Sequence, residues 1–415
     1  MRLDSHNFSP AILGKIVRAA ARGSSFEDAA ESLADQAEIA ISDRQVGRIA
    51  HEVGAQLRHA RDRQVAEFQD PQAQPAALIA PRLAVVVVDG GRLQTRSEQP
   101  SQGPGVHDPA WREDKVANLL TMSTQSHDQD PHPELPRCFT QRRAVVELVQ
   151  GIAGQGALAD VAEAAADELP ALTVFAPAEE EPEPRWPPKP LVRTCEATLR
   201  SSEEFGPIVA AEAQRRNFFT AQAGALLGDG GAWIWTLHRT FFPTFEPVVD
   251  FVHVLTYIYI AAKAVGGPAA AVWERYLGWA TACWQGRVAT VLEQLRALLE
   301  AMTPPPEGEE TKPTDPYEVL RQTIGYLANN QPRMDYPRYR RAGLPTCSGS
   351  MESLIKQFNR RVKGTEKFWN PTHAETILQL RAAYLCEDER LTKHLKDRSI
   401  SPFRRYETTK RRKAG

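Results

Sequence analysis

Apolar positions recur at helical spacing through the first part of the chain. Ala11-Ile-Leu-Gly-Lys-Ile-Val17, Phe26-Glu-Asp-Ala-Ala-Glu-Ser-Leu33 and a Ser42-capped run from Asp43 to Arg61, with Val46, Ile49, Val53 and Leu57 on one face, predict three helices within residues 10–67. Their short connections predict an N-terminal all-α, helix-turn-helix-like domain over residues 1–69. Its last helix presents Arg44, Gln45 and Arg48 near its start, where base edges of a DNA major groove come within reach. A small helical bundle with surface arginines fits the same pattern.

A Pro/Gln/Ala stretch over residues 70–81 reads as a linker, after which the period changes. Leu83-Ala-Val-Val-Val-Val88 is an unbroken, mostly β-branched run, the pattern of a central strand covered on both faces and stopping at the Asp89-Gly-Gly turn. Further strands are predicted over Lys115 to Ser123, Leu191 to Leu199 and Phe245 to Phe251, and a helix from Ser202 to Asn217 leads into Ala223-Gly-Ala-Leu-Leu-Gly-Asp229. Between the second and third strands lies an irregular insertion over about 125–190. It holds an Ala-rich helical stretch, Gly156 to Glu168, and a Glu/Pro run from Glu179 that cannot pack regularly.

After Asp250 the pattern is helical and aromatic: Val254 to Val265, Ala269 to Trp284, Gly286 to Met302, Tyr317 to Asn329, Met351 to Lys363 and Pro371 to Glu387. Trp273, Trp279 and Trp284 stand among alanines and leucines at helical spacing, which makes them core residues. The expected fold class is mixed α/β. The order of elements predicts an RNase H-like core in two parts, 82–255 and 331–395, interrupted by a helical insertion domain at 256–330 and followed by a basic tail at 396–415.

Composition narrows the class. Hydrophobic residues make up 42% and charged residues 25%, as in soluble globular proteins, and apolar runs such as Leu83 to Val88 are too short to cross a bilayer. No secretory signal is legible at the N-terminus, so a cytoplasmic, nucleoid-associated location is expected. Cys138, Cys195, Cys283, Cys347 and Cys386 are odd in number and scattered, with no CxxC pair to start a zinc site and no spacing of a disulfide framework, so they read as reduced, buried or incidental. The net charge is only -2, but it is unevenly placed: from Gln331 onward 20 Lys and Arg face 9 Asp and Glu, a balance of +11. A basic region of that size suits a surface lying against phosphates, or, for Lys410 to Lys413, a solvated tail.

The candidate chemistry lies in three acids. Asp89 and Asp229 each follow an apolar strand, and Glu352 opens a basic helix, Met351 to Lys363, with Lys356 and Asn359 on its own face and Arg360 and Lys363 beyond. In an RNase H-like sheet the first and fourth strands are neighbours, which brings Asp89 and Asp229 together, and a late helix packed on the sheet adds the third acid. Three carboxylates on rigid elements suit two Mg2+ or Mn2+ ions, which assist phosphodiester cleavage by stabilising attacking and leaving oxygens. Taken singly, Asp89-Gly90 and Asp229-Gly230 are also ordinary turn formers, and Glu352 with Lys356 an ordinary surface ion pair.

From Val85 to about Arg390 the chain resembles the ISKra-type insertion-sequence transposases, relatives of the Mutator-like DDE group. The likeness rests on Val88-Asp-Gly-Gly-Arg92, Trp111-Arg-Glu-Asp-Lys115, Leu227-Gly-Asp-Gly-Gly-Ala-Trp-Ile-Trp235, Phe242-Pro243, Val249-Asp-Phe-Val-His253, Tyr326-Leu-Ala-Asn-Asn330, Arg333-Met-Asp-Tyr-Pro-Arg-Tyr-Arg340, Gly343-Leu-Pro345, Met351-Glu-Ser353 and Arg361-Val-Lys-Gly-Thr-Glu-Lys-Phe-Trp369. It implies an RNase H fold, with Asp89, Asp229 and Glu352 as ligands of two Mg2+ or Mn2+ ions. It also implies DNA cleavage followed by strand transfer, acting on terminal inverted repeats and a target DNA. Asp250 and His253 match the family's Asp-x-x-His signature, in which His253 contacts DNA or supports the metal site; a buried histidine heading an apolar helix fits the same position. The proline-rich stretch over 176–190 has no counterpart in the family pattern.

Arg333, Arg338, Arg340 and Arg341, interleaved with Tyr336 and Tyr339, read as the border of a DNA channel or as a solvated loop. With Arg44, Arg48, Lys356, Asn359, Arg360, Lys363 and Lys367 they make up the expected DNA-contacting set. The expected active form is a homodimer or higher multimer on DNA. A DNA-binding protein that has lost transposition, and a structure-selective nuclease on the same fold, are the rival readings.

Overall fold

The computed structural model describes residues 8–70, 72, 79–96, 109–153, 186–306, 312–363 and 367–398. The Ala-rich stretch from Gly156, the Glu/Pro run and the tail at Lys410 to Lys413 lie outside the described residues.

Five strands form one mixed sheet: β1 Leu83–Arg96, β2 Pro109–Ser123, β3 Lys189–Thr198, β4 Ala223–Gly228 and β5 Glu246–Val249, in the order β3-β2-β1-β4-β5. β1, β2 and β3 pair antiparallel, whereas β4 and β5 run parallel to β1. The first half of β1, Leu83 to Val88, is buried without alternation, as a strand with elements on both faces must be. The Asp89-Gly-Gly segment does not end the strand as the sequence suggests. β1 runs on to Arg96 because β2 continues beside it, with Gly90 opposite Lys115 and Gly91 opposite Asp114. β2 accordingly begins at Pro109, six residues before the position the apolar pattern marks. β5 is shorter than expected, since Asp250 already caps the next helix by accepting from the Val252 N–H at 3.1 Å.

The first three helices are α1 Pro10–Arg22, α2 Phe26–Ala37 and α3 Asp43–Phe68. Ser9, Ser25 and Ser42 cap them through side-chain oxygens. After β2 come α4 Arg142–Ala153 and, beyond β3, α5 Ser202–Arg215, whose start is a capping box of Ser201 and Glu204. α6 Ala232–Phe241 bridges β4 and β5; α7 Phe251–Ala264, α8 Ala269–Trp284, α9 Val288–Glu300 and α10 Pro316–Asn330 follow β5 as a run of helices. The short α11 Tyr336–Arg341, then α12 Gly349–Val362, α13 Pro371–Leu385 and α14 Arg390–Asp397 complete the described chain. In α8, Trp279 and Trp284 are buried, and Trp273 is half-buried with its ring stacked on Tyr276.

The N-terminal helices pack on the rest of the described chain. α3 extends to Phe68 and packs on α13 and α5, and its apolar face, Val46, Ile49, Val53 and Leu57, joins the same hydrophobic core as β1. Buried polar groups tie the parts together. Arg61 of α3 pairs with Glu375 of α13 at 2.8 Å, and the same carboxylate accepts from Thr198 and Leu199 at the end of β3. Arg361 of α12 donates to the Ala20 and Ser24 carbonyls, and Arg381 of α13 to Ala21 O and Gln357 O. Carbonyls of the last turn of α1, which have no partner within that helix, are thus satisfied by two buried guanidinium groups.

Candidate functional site

Strand register brings the first two acids together. β1 and β4 pair from Leu83↔Ala223 to Val87↔Leu227, and two residues further along each strand stand Asp89 and Asp229. β4 and β5 pair up to Gly228↔Val249, one residue before Asp229 and Asp250, and the Asp250 N–H donates to Gly228 O at 2.9 Å. Neighbouring strands lie about 4.8 Å apart, so Asp89 within β1 and Asp229 and Asp250 just past the ends of β4 and β5 occupy adjacent positions across three parallel strands.

The electrostatics match that crowding. Burial pushes the Asp89 carboxyl up to about 7; His253 on α7 opposes the shift, and the like charges of Asp229 and Asp250 add to it. Asp89 Oδ1 accepts from the Gly90 N–H at 2.7 Å, and Asp229 Oδ1 from the Gly231 N–H at 2.8 Å. Asp250 is buried and committed to structure: it accepts from the Ser348 N–H at 3.3 Å and from the Ser348 hydroxyl.

That last contact places the third acid's helix. Ser348 is the N-cap residue of α12, which carries Glu352, so the start of α12 is fastened to the end of β5. Met351, Leu354, Ile355, Phe358 and Val362 bury the inner side of α12, which packs on β1 and β2. The Glu352 side chain itself lies outside the described residues. Among the described residues no three His, Cys, Asp or Glu side chains are grouped so as to hold a metal ion. The donors at this end of β4 and β5 are carboxylate oxygens, with the Asp89 carboxyl raised chiefly by burial, and hard oxygen donors are the type that Mg2+ or Mn2+ takes.

One group beside these acids escaped the sequence reading. Asp114 on β2 is buried, has no hydrogen-bond partner at Oδ1, and fills the space a side chain at Gly91 would need: a Cβ there would stand 2.8 Å from Oδ1. Burial raises its carboxyl to about 6, opposed by Lys363. Lys363, held down by its own burial, is drawn upward by Asp114 and Asp89 together. The signal for Asp114 was a charged triplet, Glu113-Asp114-Lys115, in what proved to be strand rather than loop.

The expected DNA-contacting residues divide. Arg44, Arg48, Arg341, Lys356 and Arg360 are exposed; Asn359, Lys363, Lys367 and Arg333 are half-buried. Arg333 lies over the Trp235 ring at 4.5 Å, and Lys367 donates to the Arg360 and Arg361 carbonyls at the end of α12. Arg338 is exposed and chelates Glu246 through both Nη atoms. Arg340 departs from expectation: it is fully buried, paired with Asp130 at 2.5 Å, donates to Trp284 O and lies over the Trp284 ring, so it braces the core and cannot meet DNA. Tyr336 and Tyr339 likewise point inward, donating to Val249 O and Pro247 O of the β5 strand. Cys195, Cys283 and Cys386 are buried, and all five cysteines are free thiols.

No family model matches the chain, and no curated protein matches it. Among the described residues no helix is long and apolar enough to cross a membrane.

Proposed function

We propose that the chain is a DDE-type transposase that binds the terminal inverted repeats of its element, cuts the DNA and joins the freed ends to a target, acting as a dimer or higher multimer. One observation carries the reading: Asp89, midway along β1, and Asp229, just past the end of β4, stand at the same level on neighbouring parallel strands, and the helix bearing Glu352 is pinned to the end of β5 through Ser348 and Asp250. The sheet order β3-β2-β1-β4-β5, with only β2 running against its neighbours β1 and β3, supports an RNase H-like core. The resemblance to ISKra-type transposases points the same way.

In this reading Asp89, Asp229 and Glu352 hold two Mg2+ or Mn2+ ions, which supply Lewis-acid stabilisation of the oxygens entering and leaving phosphorus. The chain's own part is to place and charge the site. β1 holds one carboxylate within a rigid strand and β4 leads straight into the other, and Asp250, engaged with Ser348, sets the approach of α12. His253 faces Asp89 and balances part of the negative charge. The exposed cations Arg44, Arg48, Arg341, Lys356 and Arg360 offer phosphate contacts, which implies binding that weakens steeply with salt.

The reading is tested by incubating the purified protein with DNA bearing the ends of its element and with pre-cut ends, in Mg2+ or Mn2+. Cut and joined products are expected. Cutting without joining supports a nuclease instead, and repeat binding with neither product supports a DNA-binding protein that has lost transposition.

A further inference from the structure

The turn that presents Asp229 is not held by the sheet alone. Tyr326, on α10, donates its hydroxyl to the Asp229 carbonyl at 2.8 Å. Four residues on, buried Asn330 accepts from the Trp235 indole N–H at 2.9 Å, while the same indole donates to Gly230 O at 3.2 Å. The Asn330 amide also donates to Tyr326 O at 3.0 Å, which fixes the orientation of its carbonyl toward Trp235. The turn has no slack against this pair. Gly230 sits at φ +104, a conformation that side-chain-bearing residues avoid, and a Cβ there would stand 2.7 Å from the Tyr326 ring and 2.8 Å from the Asn330 amide. The Tyr326 ring is itself clamped, stacked on Tyr257 of α7 at 3.7 Å between centroids.

Asp229 stands on a Gly-Asp-Gly-Gly segment, which has little rigidity of its own. We infer that Tyr326 and Asn330 are positioning residues for Asp229, holding its backbone so that the carboxylate is presented at the sheet edge, and that the helical insertion is thereby a working part of the site rather than an appendage. Tyr326 gives its one hydroxyl donor to the Asp229 carbonyl, and Trp235 and Asn330 donate to the next carbonyl, that of Gly230. Residues that orient a ligating carboxylate characteristically set metal affinity without touching the metal.

The inference rests on the site reading given above, and its test separates the two. The full-length protein is compared with Tyr326→Phe, Asn330→Ala and Asp229→Asn by calorimetric titration with Mn2+, by hydrogen exchange of the segment 228–235 without metal, and by the Mg2+ concentration that half-saturates DNA cutting. Tyr326→Phe keeps the ring stacked on Tyr257 and loses only the hydroxyl, so a packing role predicts no change in any of the three. The positioning role predicts faster exchange of 228–235 and Mn2+ binding weakened roughly 10- to 100-fold, with a matching rise in half-saturating Mg2+. Asn330→Ala moves in the same direction. Unchanged exchange and Mn2+ affinity in Tyr326→Phe, beside lost Mn2+ binding in Asp229→Asn, overturns the positioning role and leaves the site standing; Mn2+ binding unchanged in Asp229→Asn overturns both.

Discussion

The Asp250 carboxylate receives both the backbone N–H and the hydroxyl of Ser348, and in doing so locks the end of β5 to the first turn of α12. Ser348→Ala keeps the backbone bond and removes the hydroxyl, leaving a buried carboxylate oxygen short of a donor, at a cost of about 1–3 kcal/mol. Thermal unfolding should fall accordingly. Because α12 carries Glu352, DNA cutting at a temperature where the protein is fully folded should fall by more than the lost stability explains. Cutting at the wild-type rate under those conditions would detach α12 from the site.

Arg381 and Arg361 satisfy carbonyls of α1 from the far end of the sequence. Arg381→Ala strands the Ala21 and Gln357 carbonyls in the interior and should cost on the order of 2–4 kcal/mol, read as a drop in denaturant midpoint. For the same reason deletion of residues 1–69 should give an aggregating protein, since it uncovers the apolar and ionic face of α13, including Glu375 without Arg61. A soluble, cooperatively unfolding deletion product would show the N-terminal helices to be a separable domain after all.

Asp89 titrates near 7, well above the ordinary 3.8 of an aspartate, and the groups facing it are His253, Asp229, Asp250 and Lys363. The folded chain therefore holds this proton more tightly than the unfolded chain does, so its contribution to stability is present at low pH and is lost as pH rises from about 4 to about 7. In metal-free protein Asp89→Asn should match the wild type near pH 4 and exceed it by on the order of 2 kcal/mol at pH 8, after allowing for solvent screening of a partly exposed group. Added Mg2+ should narrow the gap by stabilising only the wild type. A pH-independent difference between the two proteins would remove Asp89 from the crowded acid cluster.

Arg340 and Arg341 are neighbours with opposite environments. Arg340→Ala leaves Asp130 unpaired beside the core and is expected to cost about 3–5 kcal/mol, whereas Arg341→Ala should leave thermal stability within about 0.5 kcal/mol. DNA binding measured across a salt series should respond in the reverse order, with Arg341→Ala, and likewise Arg44→Ala and Arg48→Ala, lowering affinity and flattening the salt slope by about one charge each.

Much of this fold could be read from the chain because its signals are local. The Leu83 to Val88 run, the serine caps of α1 to α3 and the apolar stretch feeding Asp229 each settle an element without reference to the rest. What stayed hidden depends on partners distant in sequence. Gly90 and Gly91 read as a turn, yet they are strand residues because β2 runs beside them and Asp114 needs the space. Arg340 reads as a surface charge until Asp130 and Trp284 are placed around it. The hold of Tyr326 on Asp229 spans 97 residues, and no periodicity encodes it.

The central claim is that Asp89, Asp229 and Glu352 surround one metal centre. It is tested most directly by replacing Mg2+ with Fe2+ in the full-length protein and generating hydroxyl radicals with ascorbate and peroxide, which cut the chain only close to the bound ion. Cuts near residues 89, 229 and 352 together, all suppressed by excess Mg2+, are the result predicted here. Cuts that spare the 352 region, or that excess Mg2+ leaves untouched, would contradict it.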